Sequence, residues 1–374
     1  MKKNHITALV FIFIAFLIII ISGKSFMDKW KPDIIVKGPG VTKVAALSDY
    51  FPELKGRYGD SPIYFLEGKE PGGTIFILGG THPNEPASML TAVLWIENAT
   101  VEKGRIIVLP QANLSAFSHN DPQEGSPQSI HFTTPSGIRE FRYGSRATNP
   151  IHQWPDPDIY INQHDQPLSG SDNRNLNRGY PGNPYGNYTE QICYGIMELI
   201  RKEKCDLSFD LHEASPEYPV INAIVAPDKS LDIASMVVMD LQMEEIEMNL
   251  ELSPPDFHGL SHREWGDYSD TMPILMETAN ASQGRLRGRT DENLVLTGKD
   301  KMYVQAAKLG RLYVPYDENG HPIEERIGRH TFAIETFISN FNMLFPDKTV
   351  EFSGIPSYQE ILKNGYGYYL KEVK

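Results

Sequence analysis

The chain has 374 residues, with 35 Lys and Arg against 48 Asp and Glu and a formal net charge of −13. Hydrophobic residues make up 40% and charged residues 22%, which excludes a disordered chain and leaves room for one large domain or two medium ones. The acidic balance argues against a nucleic-acid partner, because affinity for phosphate backbones comes largely from Lys and Arg. The 2 cysteines, Cys193 and Cys205, are too few for a disulfide framework or a Cys-based zinc ribbon. A metal here has to be held by His and carboxylates.

Lys2 and Lys3 precede an uncharged apolar run from Ile6 to Gly23. The run is longer than a signal-peptide core and near the lower limit for a spanning helix, and no small-x-small cleavage site follows it. The expectation is an uncleaved membrane anchor within residues 1–30 and a domain over 31–374; a cleaved signal and a buried helix are the alternatives. Lys2, Lys3 and the α-amine before residues 6–23 are balanced by Lys24, Lys29 and Lys31 after them, so charge does not set the orientation. A lone N-terminal hydrophobic segment commonly serves export, which puts the following domain outside the cytoplasm. Lys31 to Pro39 reads as a linker or a first edge strand.

Strands are expected at Thr74–Leu78, where Gly79-Gly80 closes the run, and at Arg105–Leu109, stopped by Pro110. Glu85–Glu97 has helical periodicity with Pro86 near its start. Residues 113–173 are rich in Asn, Asp, Gly, Pro, Ser and His and read as a long loop insertion. Tyr188–Lys204, Leu231–Leu250, Lys299–Leu309 and Gly328–Leu344 read as helices; Leu207–Leu211, Val220–Val225 and Met272–Met276 read as strands. Strands alternating with helices predict an α/β fold, a central sheet with helices on both faces. No internal repeat and no second-domain boundary is visible.

Four short segments carry chemistry. Gly79-Gly80-Thr81-His82-Pro83-Asn84-Glu85 follows a strand and sets His82 and Glu85 three residues apart, both able to ligate zinc. Alone it is weak, since an isolated His-x-x-Glu is usually a solvated pair, and His321-Pro-Ile-Glu324 repeats the spacing in a turn-like segment. Asp210-Leu211-His212-Glu213 ends a second strand, so His212 reaches the same sheet edge, where open α/β sheets build their sites. His82, Glu85 and His212 then form two-His-one-carboxylate coordination with an open position, although a lone His212 could equally be a core histidine. Arg174-Asn175-Leu176-Asn177-Arg178 in a Gly/Pro-rich loop suits a carboxylate, or is a solvated loop. Glu277 ends an apolar run, where desolvation raises a carboxyl pKa towards that of a general base; a surface strand end is the plainer alternative.

Taken in order, these segments resemble the succinylglutamate desuccinylase/aspartoacylase branch of the zinc carboxypeptidase-like superfamily, over roughly residues 70–280. Gly79-Gly80-Thr81-His82-x-Asn84-Glu85 is similar to that branch's first metal motif, Arg174-x-Leu176-Asn177-Arg178-x-x-Pro-Gly to its substrate motif, and Asp210-Leu211-His212 to the segment with the third ligand. Pro83 replaces a frequent Gly, and Asn175 stands where Asp is common. The resemblance implies a mixed central sheet, one Zn2+ per chain on His82, Glu85 and His212, and hydrolysis of an amide by a zinc-activated water. Glu277 would be the general base, Arg174 would stabilise the oxyanion, and Asn177 with Arg178 would hold a substrate carboxylate. The substrate is then an N-acyl amino acid or a peptide.

Other residues draw blander readings. His119, His131, His152 and His164 read as solvated loop histidines, although a second metal site could form among them. Arg285, Arg287 and Arg289 read as a surface charge run, with help in binding an anionic substrate as the alternative; Cys193 reads as a buried thiol rather than half a disulfide with Cys205, and the Met236–Met248 stretch as a core face. The competing functions are a metallocarboxypeptidase on peptides or cell-wall peptides, a non-catalytic binding module on the same fold, and an anchored interaction protein.

Overall fold

The run Ile75-Phe76-Ile77-Leu78 is fully buried, with its odd and even positions packing into two different hydrophobic clusters. A strand covered on both faces must be apolar at every position. In the computed structural model of the chain, which describes residues 2–121 and 125–373, this strand lies inside a nine-stranded sheet.

The strands Val41–Ala46 (β1), Pro62–Glu67 (β2), Glu70–Leu78 (β3) and Thr100–Leu109 (β4) build one half of the sheet. Ser129–Thr134 (β5) pairs with Gly137–Arg142 (β6), and Ile159–Ile161 (β7) with Pro167–Ser169 (β8), as two separate hairpins. Leu207–Ala214 (β9), Ala223–Ala226 (β10), Asn249–Leu252 (β11) and Met272–Ala279 (β12) complete the main order β1-β2-β4-β3-β9-β12-β10-β11; Glu351–Ser353 (β13) pairs with β4. β3, β4, β9 and β12 run parallel, whereas β1, β2 and β13 pair antiparallel with their neighbours, and β10 pairs antiparallel with β12 but parallel with β11. The sheet is therefore mixed, and the fold is α/β.

The helices are Lys2–Asp28 (α1), Pro86–Asn98 (α2), Tyr188–Glu203 (α3), Asp228–Met243 (α4), Ser261–Asp267 (α5), Glu292–Thr297 (α6), Lys301–Lys308 (α7), Ile323–Leu344 (α8) and Tyr358–Asn364 (α9). α2, α4 and α8 cover the face that carries Ile75, Ile77, Phe209, Ile274 and Met276. α3, with Trp265 of α5, covers the face that carries Phe76, Leu78 and Leu109. α3 begins with a capping box between Asn187 and Glu190, which satisfies two otherwise free N–H groups.

Several expectations change. The helix read over Leu231–Leu250 stops at Met243, and Asn249–Leu252 is an edge strand. Its core face is Ile233, Val237, Val238 and Leu241, whereas Met239 and Met243 are exposed. Residues 113–173 are not one loop: they carry both hairpins, and β5 and β6 bury Ile130, Phe132 and Phe141 against α2 and α9. Residues 122–124 of that segment lie outside the described residues, as does the α-amine of Met1. Lys31–Pro39 forms no strand; Asp33 instead accepts hydrogen bonds from Arg142 and Gln111.

Among the described residues, one helix, Asn4–Asp28, is long and apolar enough to cross a membrane, and none of it is buried against the rest of the chain. Immediately after it, the Lys29 ammonium donates to the carbonyls of Gln128 and Tyr143.

Candidate metal and active site

The parallel strands β3, β9 and β12 end side by side, and the site is built just past their C-terminal ends. After β3 the chain turns sharply at Gly80, whose φ of +69° is costly for any residue with a Cβ. A Cβ there would also meet the Pro110 carbonyl at 2.8 Å. The Glu85 N–H donates to the His82 carbonyl at 2.9 Å, and α2 begins one residue later at Pro86. This turn aims the His82 and Glu85 side chains at β9. On β9, side chains alternate: Leu207, Phe209 and Leu211 enter the core, so His212 faces the other way, beside Glu277 in register on β12.

His82, Glu85 and His212 meet with one ligand atom each, all within 4.8 Å, and all three are buried. His82 Nδ1 is 2.9 Å from Glu85 Oε1, His212 Nδ1 is 2.9 Å from Glu85 Oε2, and the two Nδ1 atoms are 3.2 Å apart. Ligand bonds of about 2.0–2.2 Å at a tetrahedral centre separate neighbouring ligand atoms by about 3.3 Å, so these spacings fit one small cation.

The hydrogen-bond pattern makes the same point. Asn175 Oδ1 accepts from the Asn177 N–H at 3.0 Å, which identifies it as the amide oxygen. His82 Nε2, 2.9 Å from that oxygen, must therefore be the protonated ring nitrogen. Burial and the nearby Arg146 push the His82 pKa down to about 4, so the ring is neutral at pH 7. Its Nδ1 lone pair then points at a carboxylate oxygen. Two acceptors in contact call for a cation between them.

His212 is held from behind by Asp210, whose Oδ2 lies 2.9 Å from Nε2. Asp210 is itself buried and accepts from Thr81 Oγ1 at 2.8 Å and from Ser261 Oγ. It meets the ring at Nε2, opposite the Nδ1 that meets Glu85, and so orients His212 rather than joining the ligands. Burial opposes charge on His212, but Asp210 and Glu85 outweigh it and raise its pKa well above the usual imidazole value. The pocket selects positive charge at this point.

Glu277 lines the same cavity, and its Oε2 is buried without a hydrogen-bond partner. Burial, helped by Glu85 and Asp210 and opposed by His212 and Arg146, pushes its pKa up to about 8. The cavity has a volume of about 790 Å³, and Asn177, Arg178 and Arg146 also line it. Asn177 Oδ1 accepts from the Ser261 N–H at 2.9 Å, which fixes that side chain, and Arg178 Nη1 donates to the Asn177 carbonyl at 2.6 Å.

Arg174 is not brought to the cavity. Its guanidinium makes a two-pronged pair with Asp156, Nε to Oδ1 at 2.7 Å and Nη2 to Oδ2 at 2.8 Å, and Nη1 donates to the Thr148 carbonyl. Its Nε and Nη2 are committed to a residue 18 positions back along the insertion, and Nη1 to one 26 positions back. The arginine beside the ligands is Arg146, with Nη1 at 2.9 Å from Glu85 Oε1. No motif surrounds Arg146 in the sequence, so only the folded insertion reveals it. Arg285, read as surface charge, also lines the cavity. The second His-x-x-Glu is no ligand pair: His321 bonds Glu325 and the Pro315 carbonyl instead of Glu324. Of the loop histidines, only His131 is exposed; His152 stacks on Tyr58. Cys193 and Cys205 are both buried free thiols.

No protein-family model matches the chain, and no curated protein matches it. Solved structures do. The chain is similar to a succinylglutamate desuccinylase/aspartoacylase from Rhodobacter sphaeroides, at 17% identity and a TM-score of 0.35, over 58% of this chain and 51% of that one. It is similar to apo cell shape determinant protein Csd4 from Helicobacter pylori, at 12% identity and a TM-score of 0.46, over 81% of this chain and 59% of that one. The mDAP-bound form of Csd4, described as a D,L-carboxypeptidase, aligns at 11% identity and a TM-score of 0.44, over 79% of this chain and 56% of that one. The chain thus spans between half and two thirds of the length of these proteins. The reading of the site rests on its own geometry.

Proposed function

We propose that the chain is a membrane-anchored, zinc-dependent hydrolase that cleaves an amide bond in a carboxylate-bearing substrate. One observation carries this reading. The donor atoms of His82, Glu85 and His212 converge at the edge of a cavity that also holds an unpartnered carboxylate, Glu277, and three arginines, Arg146, Arg178 and Arg285.

His82, Glu85 and His212 would hold the ion, with Asn175 and Asp210 fixing the two rings from behind. Zinc bound there supplies Lewis acidity to a carbonyl and lowers the pKa of a water. Glu277 takes a proton from the attacking water and delivers it to the leaving nitrogen; its free Oε2 is the atom that carries it. A cation held by the three ligands would lower its raised pKa and favour the basic form. Arg146, in place of Arg174, stabilises the negative charge that develops on the carbonyl oxygen. Arg178 and Asn177 hold the substrate carboxylate and set the scissile carbonyl in place.

The cavity admits a short peptide as well as an N-acyl amino acid, so deacylase and carboxypeptidase are both readings of one site. The test is amine release by the zinc-loaded full chain in detergent from a panel of N-acyl amino acids and of short peptides with D- and L-residues at the C-terminus. Turnover of one class, lost in Glu277→Gln, supports the reading and assigns the substrate. Zinc binding with no turnover across the panel favours the non-catalytic module. We further propose residues 1–30 as the anchor and residues 31–374 as the hydrolase domain, on the outer side of the membrane. Protease accessibility of the domain in intact spheroplasts tests that orientation.

A further inference from the structure

A second set of ligating side chains ties the β7–β8 hairpin to the start of α5. His164 sits in the turn of the hairpin, His258 just before α5, and Glu264 within it. His164 Nε2 and His258 Nδ1 each lie 3.1 Å from the same atom, Glu264 Oε1. One ligand atom from each residue lies within 4.8 Å of the others. The two rings stack, with centroids 3.7 Å apart and planes 14° from parallel.

Glu264 is fully buried, and among the described residues no Lys or Arg pairs with it. Oε1 also accepts the Gly259 N–H at 2.8 Å, but Oε2 is buried without any partner. A buried carboxylate is costly unless its charge is compensated. One imidazolium could balance the charge, but both ring nitrogens then converge on an oxygen that already accepts the Gly259 N–H, while Oε2 is left bare. A divalent cation between the rings and the carboxylate removes both difficulties.

We propose that His164, His258 and Glu264 form a second metal site, for a divalent ion of the Zn2+ type given two imidazoles and one carboxylate. Water completes the coordination, since the two histidine side chains are 22% and 26% exposed. The site is a clamp. It fastens a hairpin of the 113–173 segment to the backbone that supports the substrate loop. The Tyr180 N–H donates to the Gly259 carbonyl at 3.2 Å, and the Ser261 N–H donates to Asn177 Oδ1 at 2.9 Å. Gly259 itself packs so closely that a Cβ there would meet the Arg178 carbonyl at 2.5 Å. Occupancy of the clamp would therefore steady Asn177 and Arg178.

The experiment removes the first site in every arm. Full chain carrying His82→Ala, in detergent and stripped with chelator, is titrated with Zn2+, following bound metal and melting temperature. The proposal expects about one tight Zn2+ per chain and a rise in melting temperature, by the linkage of binding to folding. Adding His164→Ala or Glu264→Gln should weaken that binding about tenfold or more. His164→Ala alters a partly exposed turn, and Glu264→Gln keeps an acceptor for the Gly259 N–H, so circular dichroism should show both folded. Zn2+ binding absent from His82→Ala, or unchanged by both second substitutions, overturns the proposal.

Discussion

His82 Nε2 stands 2.9 Å from Asn175 Oδ1, and that contact decides which nitrogen of the ring is left to bind a metal. Asn175 holds its own orientation through the Asn177 N–H, so one backbone turn sets the amide, the amide sets the tautomer, and the tautomer leaves Nδ1 free.

Asn175→Ala removes this support without touching a ligand. Zinc affinity should fall about 10- to 100-fold, while melting of the metal-free chain changes little. Competition with a chromophoric chelator measures the affinity. An unchanged value would mean that His82 is oriented by packing alone.

Arg146 and Arg174 should separate cleanly. Arg146→Ala should lower kcat about 10²- to 10³-fold, because it takes away the cation nearest the ligands. Arg174→Ala breaks the largely buried pair with Asp156 and should cost about 1–3 kcal/mol of stability, with kcat nearly intact. Steady-state kinetics and denaturant melts on the two variants check both halves.

Glu277 gives the metal-free chain a pH dependence of known sign. Its folded pKa, about 8, lies above the ordinary 4.5, so the folded state binds the extra proton. The contribution to stability is full below about pH 4.5 and is lost as pH rises through 8. His82 and His212 titrate nearby, so the diagnostic is the difference between wild type and Glu277→Gln. The variant should lose less stability between these limits. Parallel melting curves across that range would contradict the burial argument.

The sequence is most legible where residue type, periodicity and position coincide. The apolar run before Gly79-Gly80 reads as a buried strand, and it is one buried on both faces; His82, Glu85 and His212 follow from the ends of two such strands. Asn177 and Arg178 line the cavity. Arg174 does not, because its partner Asp156 lies in an insertion whose fold no local pattern predicts. Arg146 is invisible for the same reason. The β7–β8 hairpin is hidden by its short strands, three residues each, too few for a period of two to show among turn-forming residues; β5 and β6 span six residues each, and the alternation of Ile130 and Phe132 with His131 and Thr133 is legible in the sequence. The Met236–Met248 stretch misleads because methionine serves exposed and buried positions alike; of its methionines only Met248, just before β11, is fully in the core.

The central claim is a cation held by His82, Glu85 and His212. Its most direct test is metal stoichiometry in the full chain carrying His164→Ala, which leaves the first site alone, set beside the same chain with His212→Ala added. The account predicts about one zinc per chain in the first and almost none in the second. Folded His164→Ala protein that takes up no zinc, or zinc that stays when His212 is removed, would contradict it.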